Sequence, residues 1–304
     1  DYVHYITPIK GRNIRLKRFV RKFSRGFVRK AECVITPSNK TAKYLKYKCN
    51  VKNKPIYVVP TGLDIAPFKS TNFTIEEKNE LKASLGIKPE EKIILFLGRV
   101  ANEKSVDVIM DNMPSIFEDY PNCKFLIVGD GPSKKDLEEQ AKKLNIADKV
   151  IFTGKVPWSD VPKYYNLGDV FVNASVTETQ GLTFIEAMAA EVPIVAKYAP
   201  NLSEFIKTGK NGILVKKNTD FKDAIIKVLD DQKLRETLIT GGNATAEEYS
   251  IEKFGDKLEM LYSEIIKLHN AKKDAETKEE KNVHKKTIYK RIGEKLLNLT
   301  KIKK

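Results

Sequence analysis

Cysteine, histidine and tryptophan are all scarce in this chain of 304 residues: three, three and one. Cys33, Cys49 and Cys123 are scattered, without a CxxC pair, and His4, His269 and His284 lie far apart in sequence. That argues against a disulfide framework or a zinc site and fits a reducing compartment. Long apolar runs are missing too. The run Ile93 to Leu97 is typical, far short of the roughly 20 residues a membrane-spanning helix needs. There is no Asp-x-Asp pair and no GxxxxGK phosphate loop. Internal repeats are absent.

Acid is missing where base is dense. Lys10 to Lys30 holds ten Lys/Arg and no acid, and Lys281 to Lys304 holds nine with one acid, Glu294. The net charge is +15, so these two segments account for all of it and the body is nearly neutral. Such patches imply a negatively charged partner, anionic lipid or nucleic acid. Steeply salt-dependent duplex binding would mark the second. No recognition helix or aromatic stacking motif supports it, so no nucleic acid is expected.

What is present is a regular alternation. CVITPS and PIYVVPTG flank a helical NKTAKYLKYK, and KIILFLG, KFLIVGDG, KVIFTG, VFVNAS, PIVAKY and GILV follow at helix-sized intervals. Short apolar, β-branched runs alternating with helices imply parallel βα units and an α/β fold. Val106, Ile109, Met110, Met113, Ile116 and Phe117 recur at helical spacing. At this length two cores are expected. Residues 1–68 read as the end of one Rossmann-like domain, and 69–91 as a linker. Residues 92–250 read as a complete doubly wound domain, 251–270 as a terminal helix and 271–304 as a basic tail. The chain starts at Asp1 in mid-element, so an upstream segment is expected.

In an open parallel sheet, ligands bind at the carboxyl ends of the strands. There the sequence places Gly98-Arg99 with Lys104 beyond, Gly129-Asp130-Gly131, Gly154-Lys155-Val156, and Glu178-Thr179-Gln180-Gly181-Leu182-Thr183. Glycines let backbone approach, a helix N-terminus points N–H groups at an anion, and the cations neutralise it. The reading is a diphosphate site without a protein-bound metal. Within TETQGLTFIEAMAA, Glu186 is the only charge of an apolar helix. A buried carboxylate needs a hydrogen-bond donor, and a vicinal diol such as a ribose could serve. Trp158, Tyr164 and Tyr165 call for no special role on sequence grounds.

The spacing of Glu178 and Glu186 resembles the E-x7-E motif of family-4 retaining glycosyltransferases, which have the two-domain GT-B fold. GRVANEK, GDG, FTGKV and NGILV accompany it in order. The resemblance implies that Gly98, Arg99 and Lys104 meet a nucleotide diphosphate and that Lys155 and Val156 contact the base. It implies further that Glu186 holds ribose, and that Glu178 with Thr179, Gln180, Gly181, Leu182 and Thr183 orients the donor sugar. Glu178, Arg99 and Lys104 would carry catalysis, with no metal and no cofactor. Glu191 departs from the glycine usual in AxGxP. ETQGLTFIEAMA, with DYVHYI, TPSNKT and VPTGLD, is similar to bacterial diacylglycerol α-glucosyltransferases of glycolipid biosynthesis. These use UDP-glucose as hexosyltransferases, peripheral on the cytoplasmic membrane face. The partners implied are a UDP-sugar, diacylglycerol and an anionic membrane met by 10–30 and 281–304. Two alternatives stay open: the same chemistry on a soluble or cell-wall acceptor, and an inactive donor-binding fragment.

Overall fold

The computed structural model describes residues 14–52 and 54–275, with the side chains of 14–17 outside that description. Segment 281–304, His4 and the start of 10–30 lie outside the described residues. The chain forms two units, 1–254 and 255–304. In the first, strands β1 (Val34–Thr36) and β2 (Ile56–Val58) pair in parallel. Between them the expected helix forms at Asn39–Lys43 and continues as a π turn over Tyr44–Lys48. Ser38 caps it, its hydroxyl accepting from the Thr41 N–H at 3.3 Å. Preceding β1 is a helix over Ile14–Arg29.

Six further strands follow: β3 (Lys92–Leu97), β4 (Cys123–Val128), β5 (Val150–Gly154), β6 (Val170–Asn173), β7 (Ile194–Lys197) and β8 (Ile213–Val215). They make one parallel sheet in the order β5-β4-β3-β6-β7-β8, the order of a Rossmann sheet. Both faces are covered, so the strands are apolar throughout rather than alternating. On β3, Ile94 and Phe96 enter one core, with the helices Val106–Met110, Met113–Asp119, Lys134–Lys143 and Asp220–Asp230. Ile93, Leu95 and Leu97 enter the other, with Val161–Tyr165, Leu182–Ala189 and Gln232–Glu248. Each large side chain so buried contributes about 1.5–3 kcal/mol before conformational entropy is charged against it. The apolar spacing after Arg99 serves two helices rather than one. Pro114 sits in the first turn of the second, where a missing N–H costs nothing.

The stretch read as a linker, 69–91, is itself structured. Thr74 and Glu77 form a capping box that opens a helix over Ile75–Ser84. The chain passes from β2 into the large sheet through Thr61-Gly62-Leu63. Leu63 lies beside the returning Ser250, with Leu63 N–H donating to Tyr249 C=O and Ile251 N–H to Leu63 C=O, both 2.9 Å. A Cβ on Gly62 would stand 2.5 Å from Phe254 Cβ, so glycine is required where the two crossings touch. Residues 251–275 are helical, five beyond the expected end of the terminal helix. Among the described residues no helix is long and apolar enough to cross a membrane.

Candidate functional site

Strand order reverses between β3 and β6, so the crevice of this sheet opens where those strands end. One wall is made of three turns bonded backbone to backbone. Gly98 N–H donates to Val128 C=O, Gly129 N–H to Gly154 C=O and Val100 N–H to Asp130 C=O, each 3.0 Å. A Cβ on Gly129 would lie 2.0 Å from Gly98 O, and one on Gly131 2.2 Å from Val100 O. The glycines of GDG are thus needed for loop-to-loop approach, a role separate from any ligand.

Beyond this wall the chain turns through Asn102–Lys104. Arg99 extends into solvent, 67% exposed, with Glu103 at 3.6 Å. Lys104 points to the opposite wall and donates to Glu178 Oε1 at 2.6 Å, with both side chains largely buried. Asn173 Oδ1 accepts from Ser175 N–H at the end of β6, and Thr177 reaches the Glu103 carbonyl at 3.3 Å. The Glu178 carbonyl accepts from Asn201 Nδ2 at 2.7 Å and from Lys40 Nζ at 3.1 Å. Gln180 makes a reciprocal pair with the Thr61 backbone: Oε1 accepts its N–H at 2.9 Å and Nε2 donates to its C=O at 2.8 Å. The loop before Gly181 is therefore tied both to the segment around Lys40 and Thr61 and to the large sheet's own loops.

Gly181 takes a left-handed φ of +81° and starts the helix Leu182–Ala189. Thr183 follows in its first turn, and its Oγ1 is buried without a hydrogen-bond partner. Glu186 is 5% exposed. Its Oε2 accepts from the Tyr165 hydroxyl at 2.7 Å, the donor that sequence reasoning set aside. Burial holds the Glu186 carboxyl above its ordinary range, partly opposed by that hydroxyl. The Tyr165 phenol is pushed well above its own, first by burial, then by Glu186 and at longer range by Glu178. Both carboxylates thus act on one tyrosine. A run of edge-on and tilted rings, Phe68, Tyr165, Phe171 and Phe184, with centroids 5.7–5.8 Å apart, fixes that tyrosine. Nothing in the local sequence around Tyr165 announces the pairing, because Glu186 is 21 residues away.

Lys155 is exposed after β5, and Val156 is partly buried against the core. Among the described residues no hydrogen bond or ion pair joins either to the Lys104–Glu178 pair. Thr179 in the loop and Leu182 at the start of the helix are half-buried. Glu191, where glycine is usual, adopts φ +60°. Its carboxylate accepts from the Ser70 hydroxyl and from Asn243 Nδ2. Those bonds offset the strain of a side chain in the left-handed region.

Comparison with known proteins gives the family and the fold. Residues 77–245 match the family model for glycosyl transferases group 1, and residues 2–66 match that for glycosyltransferase family 4. Alpha-monoglucosyldiacylglycerol synthase of Acholeplasma laidlawii is 30% identical over 275 residues, covering 90% of this chain and 68% of that protein. The Streptococcus pneumoniae protein of the same name is 35% identical over 281 residues, covering 90% of this chain and 60% of its own length. Among solved structures, Anabaena HepE in complex with UDP and glucose superposes with a TM-score of 0.71. It is 20% identical, over 80% of this chain and 66% of that one. Sucrose-phosphate synthase of Thermosynechococcus elongatus also gives 0.71 at 22% identity, over 86% and 65%. The fold is GT-B, and the chain belongs to the group 1 glycosyl transferases.

Proposed function

We propose that this chain carries the donor site of a retaining hexosyltransferase that moves glucose from UDP-glucose to the free hydroxyl of diacylglycerol. The product would be an α-glucosyl lipid made at the cytoplasmic membrane face. The single observation that carries the reading is the Lys104–Glu178 pair at 2.6 Å where the strand order reverses. It puts a cation for the diphosphate and a carboxylate for sugar hydroxyls in one crevice. The names of the two relatives at 30% and 35% identity support the acceptor class.

On this reading the diphosphate draws Lys104 away from Glu178 and lies between Arg99, the Gly98 turn and the N–H groups of Gly181 to Thr183. Glu178, released, orients the sugar. Glu186 takes the ribose hydroxyls, and the backbone at Lys155 and Val156 meets the base. The bond from the anomeric carbon to the β-phosphate oxygen breaks as the acceptor oxygen bonds that carbon on the same face. The acceptor proton passes to the departing phosphate oxygen. Arg99, Lys104 and the helix N-terminus stabilise the growing negative charge, so no metal or cofactor is called for. Segments 10–30 and 281–304 would meet anionic lipid, and no nucleic acid is required.

Calorimetric titration with UDP and UDP-glucose tests the donor site. The parent should bind, and Arg99→Ala and Glu186→Ala should each weaken binding by about tenfold or more, the scale of a charge-assisted hydrogen bond. No binding by the folded parent would overturn the reading. Transfer to diacylglycerol in vesicles, compared with a soluble acceptor, tests the lipid half.

A further inference from the structure

Glu186 is held by a group that the chemistry proposed above leaves unused. Its Oε2 accepts from the Tyr165 hydroxyl at 2.7 Å, and both residues are buried, Tyr165 completely. No ion pair among the described residues reaches Glu186. A cation there would neutralise the carboxylate and compete with a ligand for its lone pairs. A neutral hydroxyl occupies one oxygen and leaves the charge in place. The other oxygen, Oε1, accepts no hydrogen bond among the described residues.

Tyr165 has little freedom of its own. It ends the short helix Val161–Tyr165. The next residue pins that end: Asn166 Nδ2 donates to the Phe68 carbonyl at 2.9 Å and to the Pro162 carbonyl at 3.0 Å. Phe68 and Phe171 hold the ring, with centroids 5.7 and 5.8 Å from it. The hydroxyl also reaches the Thr183 carbonyl at 3.3 Å, in the first turn of the helix that carries Glu186. Glu186 is thus held at two points, by its helix backbone and by Oε2. A planar carboxylate held in this way cannot turn freely, so the direction of Oε1 is set before a ligand arrives.

We infer that Tyr165 is a positioning residue of the donor site: its hydroxyl turns the Glu186 carboxylate so that Oε1 meets the ribose diol, and thereby selects ribonucleotide over deoxyribonucleotide donors. The inference rests on the donor-site reading and deepens it by naming what fixes the ribose contact. Hydroxyls bond a carboxylate strongly only when its lone pairs point at them. With no cation beside Glu186 to direct it, the tyrosine supplies that direction. The adjacent Tyr164 is half-buried and takes no part in the contact.

The test is titration of the full chain with UDP, 2′-deoxy-UDP and 3′-deoxy-UDP, in the parent, Tyr165→Phe, Tyr164→Phe and Glu186→Ala. The parent should bind UDP about tenfold or more tighter than at least one deoxynucleotide, the scale of a hydrogen bond to a charged group. Tyr165→Phe keeps the ring and should weaken UDP by about tenfold, with that deoxynucleotide within about threefold of the parent. Discrimination is then lost, whereas Tyr164→Phe should retain it. Adding Tyr165→Phe to Glu186→Ala should cost nothing further, because the tyrosine acts through the carboxylate. Equal weakening of all three nucleotides would make Tyr165 purely structural and overturn the inference. If Tyr165→Phe does not fold, 3-fluorotyrosine in place of Tyr165 supplies a second readout. Its fluorine resonance should shift on saturation with UDP and much less with the deoxynucleotide; an equal shift with both, or none, would refute the ribose role. A parent and a Tyr165→Phe variant that discriminate alike refute the tyrosine alone. A folded parent that binds no UDP refutes the donor site itself.

Discussion

Glu186 shows what burial does to one carboxylate. Its folded pKa is raised, chiefly by desolvation, above the value it has unfolded. Its contribution to stability is therefore fully present below the unfolded pKa and is lost as pH rises through the folded one. Glu186→Gln does not titrate and keeps an acceptor for the Tyr165 hydroxyl. The stability of the variant relative to the parent should thus grow as pH rises from acid to neutral. Paired thermal melts across that range check it, and a difference independent of pH would refute the raised pKa. The same variant should bind UDP more weakly. A stability gain with a binding loss marks a group placed for a ligand at the expense of the fold.

At the scale of elements, the three glycine turns behave as one piece. Gly131→Ala puts a Cβ within 2.2 Å of the Val100 carbonyl, so backbone must shift in two loops. Overpacking of this kind costs about 1–3 kcal/mol, or a fall in Tm of roughly 3–10 °C for a domain of this size. UDP affinity should fall with it, since Gly98 and Arg99 sit on the displaced turn. An unchanged melt would show that the turns yield independently. The strands themselves were readable from sequence, because runs such as Ile93–Leu97 and Val170–Asn173 carry their signal locally: short, β-branched and bounded by glycine or polar residues. The helix Ile75–Ser84 was also signalled, by Thr74 and Glu77 in capping-box spacing, yet its weak apolar face let it pass for a linker. Pairings such as Tyr165 with Glu186, or Lys104 with Glu178, were not legible. They depend on which strands become neighbours, and that is settled only when the sheet closes.

Within the unit 1–254, Thr61–Leu63 links β2 to the large sheet, and Gln180 bonds there from the donor loop, 119 residues away in sequence. Gln180→Ala should leave UDP affinity within about threefold of the parent but reduce transfer turnover by about tenfold, because positioning rather than donor capture is lost. Gln180→Glu keeps the acceptor for the Thr61 N–H and loses the donor to its C=O, so an intermediate effect is expected. Steady-state kinetics beside UDP titration read the split, and a loss of affinity without loss of turnover would place Gln180 on the donor instead.

The crevice has one wall fixed by backbone bonds between the turns at Gly98, Gly129 and Gly154, and one held mainly by side chains of Thr177 to Gln180. Mutational tolerance should follow the same division. In a selection for altered sugar choice, productive changes should collect at Thr177 and Thr179, where a side chain can be exchanged without moving a main chain or losing the bonds of Glu178 and Gln180. The glycines of the other wall should stay fixed in every survivor.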